Sequence, residues 1–415
     1  MTGKFEKVRY YIYSSMKDSL ATEYDFVVIG AGPAGLLASL SLALANSGGS
    51  THKKYSIALL DKRDPWREPV SCAEAVSASG LRALVPKVEP AWIREPVDGV
   101  VFISPNGTQV TFRQPGSGLL IDRALMHKNL AEECQRLGVH CNFRARAVTL
   151  SRYKNGHRTV KYDGEVRGEI KARVVIDASG PGVGFGQGEK ITQGNFDVEP
   201  ALFALVRGLT YPTNYIQMFF GKCYAPGGYA WLFPRDKDVA NVGLVIGKKF
   251  AKEAPARKAM TDFLAKVYPG ATVETVTGGV IPCGYTHDPL AVENLFKVGD
   301  AANMVNPISR AGILEAMKGG KLAAEAALAI IELNSESEKL GHYQAYKNKW
   351  DIAYGNANRR IHMAKRSFSE IKDETFDKAA KSLARIPTEK MTMKRIFIST
   401  LWSSPSLIWK MRSLI

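Results

Sequence analysis

Asp25-Phe26-Val27-Val28-Ile29-Gly30-Ala31-Gly32-Pro33-Ala34-Gly35 is a short apolar strand that runs straight into a Gly-x-Gly-x-x-Gly turn. In such a turn Gly30 permits the sharp change of direction, and Gly32 lets the backbone approach a pyrophosphate with no Cβ in the way. Gly35 lets the next helix lie close to the sheet, its N-terminal amides aimed at negative charge. A glycine triplet alone is more often a loop, so the flanks decide. Phe26–Ile29 is β-rich, Leu36–Ala45 is an apolar helical run, and a second strand, Ile57–Leu60, ends in Asp61. An acidic residue there is expected to bind ribose hydroxyls. The polar stretch Asn46–Tyr55 reads as a loop insertion that lengthens the usual spacing. The unit reads as a dinucleotide site.

Working outward, Val97–Phe112 alternates around Asn106-Gly107, which predicts a β-hairpin. Helical periodicity returns in Arg123–Leu137. Short strands follow up to Val160, with a turn at Asp163-Gly164, and the strand Ala172–Ile176 leads into Asp177-Ala178-Ser179-Gly180. Leu202–Val206, Tyr215–Phe220, Tyr229–Phe233 and Val239–Ile246 read as successive antiparallel strands. A helix over 252–267, a returning strand Thr272–Ile281 and a last strand Leu295–Val298 come next, then a long helix from Gly312 to about Leu333. The predicted fold is α/β. A Rossmann-like cofactor domain is assembled from 20–95, 120–195 and 290–335, and it carries an inserted, mostly antiparallel β-sheet substrate domain from 96–119 and 196–289. A helical region spans 336–415.

The 415 residues, 45% of them hydrophobic, suffice for one large or two medium cores. Five cysteines, odd in number and without a Cys-x-x-Cys pair, argue against a disulfide framework, a zinc site or an iron–sulfur cluster; no metal is expected. No apolar run is long enough to cross a bilayer, and the first 23 residues lack an apolar signal core. These features predict a cytoplasmic protein. The net charge of +16 comes with no nucleic-acid-binding motif, so no nucleic-acid partner is expected. Residues 390–415 are a special case. Lys394, Arg395, Lys410 and Arg412 interleave there with Ile396, Phe397, Trp402, Leu407 and Trp409, and no acid occurs from Lys390 to Ile415. Such interleaving suits peripheral association with an anionic membrane surface, and equally an ordinary packed helix pair.

One dinucleotide turn does not separate NAD from FAD. The distant motif Phe296-Lys297-Val298-Gly299-Asp300-Ala301-Ala302, running on to Pro307, does. A strand ending in Gly-Asp places a carboxylate where it can accept a ribityl hydroxyl. The helix opening near Gly312-Ile313 points its positive end at the flavin pyrimidine edge.

With these residues in place, the chain resembles the FAD-dependent group that includes aromatic hydroxylases, and within it is most similar to the geranylgeranyl reductases. The resemblance covers about 24–335. It rests on the glycine turn, Arg123 in Ile-Asp-Arg-Ala-Leu, the Asp177 segment and Gly299-Asp300, and is narrowed by Pro69-Val-Ser-Cys72-Ala-Glu74 and by Gly228-Tyr229-Ala-Trp231-Leu-Phe233-Pro234. The second matches the Tyr-x-Trp-x-Phe-Pro signature of prenyl reductases, from which the Trp-x-Trp-x-Ile-Pro form of halogenases differs. The resemblance implies that FAD is held by Gly30, Gly32, Pro33, Ala34, Gly35, Asp61, Lys62, Cys72, Ala73, Arg123, Val148, Ala178, Ser179, Gly180, Gly299, Asp300, Pro307, Gly312 and Ile313. It places Cys72 and Glu74 near the flavin and Tyr229 and Trp231 along the substrate, and these four are the catalytic candidates. Two departures stand out. Ser309-Arg310-Ala311-Gly312 replaces a glycine-rich run, leaving Arg310 to hold a phosphate or carboxylate. The Asp177 segment lacks the Asp-Gly form of the hydroxylases, so the electron donor is NAD(P)H or ferredoxin.

The implied chemistry is hydride addition to an isolated alkene of a polyprenyl lipid, with protonation of the partner carbon. Tyr229, Trp231 and Phe233 alternate along a strand and so face one way; under the resemblance they line the substrate cavity. An archaeal-type ether lipid, a quinone tail and a chlorophyll side chain all remain candidate substrates. Two rivals share the scaffold: a flavin-dependent monooxygenase or halogenase, and an electron-transfer flavoprotein acting on quinone. The glycine-rich 180–186 stretch reads as a loop, because no helix follows it promptly.

Overall fold

The computed structural model describes residues 21–48, 54–67, 70, 72–165, 167–182, 184–194, 197–285 and 287–402. The readings of the N-terminal extension, of most of the Asn46–Tyr55 insertion and of the chain beyond 402 therefore lie largely or wholly outside the described residues.

The sheet that carries the glycine turn runs β15 (Ala291–Val292), β16 (Leu295–Lys297), β9 (Gly168–Asp177), β1 (Glu23–Ile29), β2 (Ile57–Asp61), β6 (His140–Phe143). From β16 to β6 the neighbours are parallel. A ribbon of β7 (Ala145–Leu150) and β8 (Arg158–Gly164) joins the start of β9. Alternation along β1 sends Phe26 and Val28 to one face and Val27 and Ile29 to the other. The first pair packs under helices Pro33–Gly48, Arg123–Arg136 and Ile313–Ile330; the second packs under the ribbon with Phe185 and Ile191. Both faces are covered, which explains the unbroken apolar strand.

The second sheet runs β14 (Thr272–Pro282), β10 (Val198–Arg207), β13 (Val239–Val245), β12 (Tyr229–Asp236), β11 (Tyr215–Phe220), β4 (Ile93–Ile103), β5 (Gln109–Ile121), β3 (Ala75–Ser77). It is antiparallel except where β11 lies parallel to β4. The Asn106-Gly107 hairpin forms, with Gly107 at φ +86° and the Ser104 carbonyl accepting from the Gly107 amide. The sheet also takes in β3, upstream of 96–119. The helix expected over 252–267 is Ala256–Val267, because Pro255 sets its start. Its Met260 and Phe263 cover one face of the sheet. The opposite face carries the aromatic residues of β12.

C-terminal helices Glu336–Trp350, Asn356–Ser369 and Asp373–Leu383 fasten both sheets together. The Tyr346 hydroxyl donates to the Lys297 carbonyl at 2.8 Å, and the Asp373 carboxylate accepts from the Lys222 amide at 2.6 Å. No helix of the described residues is long and apolar enough to cross a membrane.

Candidate active site

The glycine turn is built as its residue types demand. Gly30 sits at φ +103°, and a Cβ there would stand 2.2 Å from the Ala178 oxygen; one on Gly35 would stand 1.7 Å from the Gly30 oxygen. Gly32 differs, with no atom within 4 Å of its would-be Cβ. Two glycines are thus needed by the protein itself, and the third leaves a cradle open to a group from outside. Pro33 begins the following helix, where its missing N–H costs nothing.

Around this turn the expected cofactor residues converge. Asp61 accepts the Ala31 amide at 2.5 Å on one carboxylate oxygen and the Arg63 amide at 2.7 Å on the other, and it lines a small cavity with Ala31, Arg63, Val70 and His127. Each oxygen keeps a lone pair for a ribose hydroxyl. Lys62 beside it is exposed. Ala178 donates its amide to the Ile29 carbonyl at 2.8 Å, which brings Ala178, Ser179 and Gly180 against the turn. The Ser179 hydroxyl is buried without a hydrogen-bond partner among the described residues. Val148 lies in the bulge of β7 with its side chain 41% exposed, apart from this cluster.

The Gly-Asp motif arrives from the far end of the chain through close helix packing. A Cβ on Gly320 would lie 2.1 Å from the Ala34 oxygen, and one on Gly299 would lie 3.1 Å from the Ala34 Cβ. Helix Ile313–Ile330 thereby sits directly on helix Pro33–Gly48, and Asp300 is held beside the turn. Burial raises the Asp300 carboxyl above its ordinary value, and the nearby Arg123 guanidinium opposes the shift. Arg123 also donates to His127 Nε2 at 3.2 Å; burial lowers that imidazole far below its usual pKa, so it stays neutral. Among the described residues no side chain caps the start of helix Ile313–Ile330 at Gly312; the Glu315 amide meets its own carboxylate, which leaves the Ile313 and Leu314 amides for an electron-rich ring edge. Pro307 is buried in the loop leading there. The open cradle at Gly32, the unpartnered Ser179 hydroxyl and the Asp61 and Asp300 carboxylates together fit an extended dinucleotide such as FAD.

The Cys72–Glu74 segment meets the aromatic face of the second sheet. Tyr229, Trp231 and Phe233 do share a face, with ring centroids 6.0 and 6.1 Å apart in succession. They are packed rather than open, at 7%, 3% and 7% exposure, and Ala73 and Ala75 pack against them. What borders solvent is a half-buried rim that includes Phe203, Ile216, Met218 and Phe220. The three rings share a face as expected, but at this burial they pack against their neighbours rather than line an open cavity, with the half-buried side chains at their edge. Glu74 has a positive φ of 71° and a buried carboxylate 3.3 Å from Arg235. Burial raises its pKa, with Arg235 opposing. Cys72 Sγ accepts the Glu74 amide at 3.1 Å.

Arg310 is not free to hold a ligand, contrary to the expectation from the Ser-Arg-Ala-Gly departure. Its guanidinium is 2.8 Å from Glu199, which also pairs with Lys365 at 2.8 Å, and it stands 5.3 Å from the Tyr229 ring centroid. The Tyr229 hydroxyl donates to the Ser309 carbonyl, and burial pushes its pKa up to about 12. Sequence reading missed Glu199, Lys365, Arg235 and Asn241. The one signal for Asn241 was an amide standing alone in an apolar strand.

Comparison with known proteins agrees with this geometry. A family model of the geranylgeranyl reductase catalytic domain matches residues 197–280, and one of lycopene cyclase protein matches 25–197. Digeranylgeranylglycerophospholipid reductase of Methanosarcina acetivorans is 31% identical over 403 residues, covering 94% of this chain and 96% of its own. A reductase of the same name, numbered 1, from Methanothermobacter thermautotrophicus is 32% identical over 408 residues, 95% of this chain and 99% of its own. Among solved structures, a geranylgeranyl bacteriochlorophyll reductase-like protein from Thermoplasma acidophilum superposes with a TM-score of 0.83 at 22% identity, over 95% of this chain and 99% of that one. The myxobacterial chondrochloren halogenase, at 18% identity and a TM-score of 0.65 over 92% and 97%, shares the fold.

Proposed function

The chain belongs to the geranylgeranyl reductase family, and from that premise we propose that it saturates carbon–carbon double bonds of a polyprenyl-bearing membrane lipid. The observation that carries the proposal is the meeting of the aromatic wall of β12 with the Cys72–Glu74 segment next to the cofactor cradle. The name of the relatives favours a digeranylgeranyl glycerophospholipid over a quinone tail or a chlorophyll side chain.

When bound, FAD in its reduced form supplies the hydride that adds to one alkene carbon. The glycine turn, Asp61, Asp300 and the uncapped helix start hold its phosphates, sugar and ring edge. Tyr229, Trp231 and the rim side chains lay the prenyl chain flat and keep water away. Glu74 delivers the proton to the second alkene carbon, for which burial tunes its carboxyl upward, and Cys72 borders the same spot. The electron donor is NAD(P)H or ferredoxin. Basic and aromatic residues beyond 390 keep the enzyme at the surface of the membrane that holds its substrate.

The test is anaerobic. Purified protein reconstituted with FAD and reduced by dithionite is mixed with digeranylgeranylglycerophospholipid, and the lipid mass is followed. A gain of two hydrogens per saturated bond is expected. A protein that binds no flavin, or that modifies lipid only when oxygen is admitted, would overturn the proposal and favour a monooxygenase.

A further inference from the structure

Asn241 lies on β13 directly across from Phe233 of β12, on the sheet face that carries Tyr229 and Trp231. It is the one polar side chain in a strand that otherwise reads Val-Ala-Val-Gly-Leu-Val, and it is 6% exposed. An amide in such a place is tolerated when both its ends are satisfied. Here they are. Its Oδ1 accepts the Trp231 indole N–H at 3.1 Å, and its Nδ2 donates to the Cys72 carbonyl at 2.6 Å. The orientation of the amide follows from chemistry, because an indole N–H only donates and a carbonyl only accepts.

Gly243 completes the arrangement. A Cβ there would stand 2.1 Å from Trp231 Cζ2, so the indole lies flat across β13 only because that position has no side chain. The rotamer that brings the indole nitrogen to Asn241 is thus set from below. On the other side, Cys72 and Glu74 are gripped twice by the same β12–β13 hairpin, through Asn241 on the Cys72 carbonyl and Arg235 on the Glu74 carboxylate.

We propose that Asn241 is a positioning residue that locks the Trp231 wall and the Cys72–Glu74 segment into one rigid unit, so that an alkene resting on the wall is in register with the proton donor and the cofactor. The assignment rests on the reductase reading for its catalytic consequence, while the lock itself is a property of the fold.

The test compares Asn241→Leu and Asn241→Asp with wild type, all loaded with FAD. Leucine removes both bridges. Aspartate keeps the acceptor for Trp231, but when ionised has nothing to donate to Cys72; when protonated, its O–H restores that bond. Cys72, Glu74 and Arg235 are the titratable groups that the segment and β12 bring to this spot. They are present in every protein compared, so the ratio of variant to wild type isolates position 241. At about pH 8 both variants should lose roughly tenfold to a hundredfold in kcat with KM little changed. Burial at 241 raises the carboxyl of the introduced aspartate above its ordinary range, so toward about pH 6 the aspartate variant should recover in part and the leucine variant should not. A second readout needs no turnover: the rate of Cys72 alkylation by iodoacetamide, followed by peptide mass spectrometry, should rise roughly fivefold to tenfold in Asn241→Leu as the segment is released. Should Asn241→Leu fail to accumulate, Asn241→Ser serves the same comparison. Wild-type kcat and alkylation rate in the leucine or serine variant would overturn the proposal, as would an aspartate variant equally impaired at both pH values. If the wild-type enzyme reduces no prenyl lipid, the reductase reading fails, and the alkylation rates still decide the positioning role.

Discussion

Glu74 combines a left-handed backbone with a buried carboxylate, both uncommon for a glutamate, and has the Arg235 guanidinium 3.3 Å away. Strain of this kind persists where the surroundings over-determine it, and it concentrates at working sites. The upward shift of its pKa has a defined consequence. A carboxyl whose folded pKa lies above its unfolded value stabilises the fold most below the ordinary carboxyl range, and that contribution is lost as pH rises through the raised value. Protonation, the state that can donate, is lost in the same direction. The rate of lipid reduction should therefore fall on the alkaline side of the raised Glu74 pKa. In Glu74→Gln that limb should vanish, and kcat should drop by roughly 10²–10⁴ at every pH. Stopped-flow reoxidation of the flavin by lipid across a pH series checks this; an unchanged alkaline limb in the variant would move the proton donor elsewhere.

The loop from Asn306 to Gly312 shows what a local departure from a family pattern requires of its surroundings. Arg310 occupies a positive φ of 57°, where a glycine-rich run would sit without strain. It is retained there by Glu199 of β10, which in turn holds Lys365 of helix Asn356–Ser369, itself 2.5 Å from Asp197. One carboxylate thus ties the 306–312 loop, the second sheet and the C-terminal helices together. Removing it strands the buried Arg310 and leaves Lys365 with Asp197 alone. Glu199→Ala should lower stability by roughly 3–5 kcal/mol, measured by denaturant unfolding. Arg310→Gly should cost less, because Lys365 keeps its partner and the left-handed backbone is relieved. Equal losses in the two variants would show that the pairing contributes little. None of these partners was legible beforehand. The glycine turn, the Gly-Asp strand end and the Tyr-x-Trp-x-Phe row could be read, because neighbouring residues dictate their geometry through turn chemistry and strand alternation. Glu199, Lys365 and Asn241 owe their roles to segments that only the folded chain brings near. Arg310 was misread for the same reason, since its partner is distant in sequence.

Across the molecule, the two sheets and their order along the chain followed from strand patterning, but their mutual placement did not. That depends on the contact of Gly320 with Ala34 and on Phe220, whose ring lies 5.8 Å from Phe376 of helix Asp373–Leu383 and closes the far end of the aromatic wall. The C-terminal region therefore has a structural duty up to Met391, which is buried with Val110 and Leu383. The proposed membrane contact draws on residues further on. Deleting 403–415, which holds Lys410, Arg412, Leu407, Ile408 and Trp409, should leave flavin content and melting temperature unchanged while weakening co-sedimentation with vesicles rich in anionic lipid. Equal sedimentation of the truncated and full chains would remove the tail from that role.

The seating of Gly299 and Gly320 on Ala34 also bears on synthesis. A nascent polypeptide emerging from the ribosome completes β1, β2 and β9 well before β16 exists, so the flank of β9 that β16 will occupy stands bare, and the early loop has no Asp300 to share its ligand. A site that needs both the Gly30–Gly35 turn and Asp300 is therefore complete only once the chain has been made past β16, which makes its assembly a late event of synthesis.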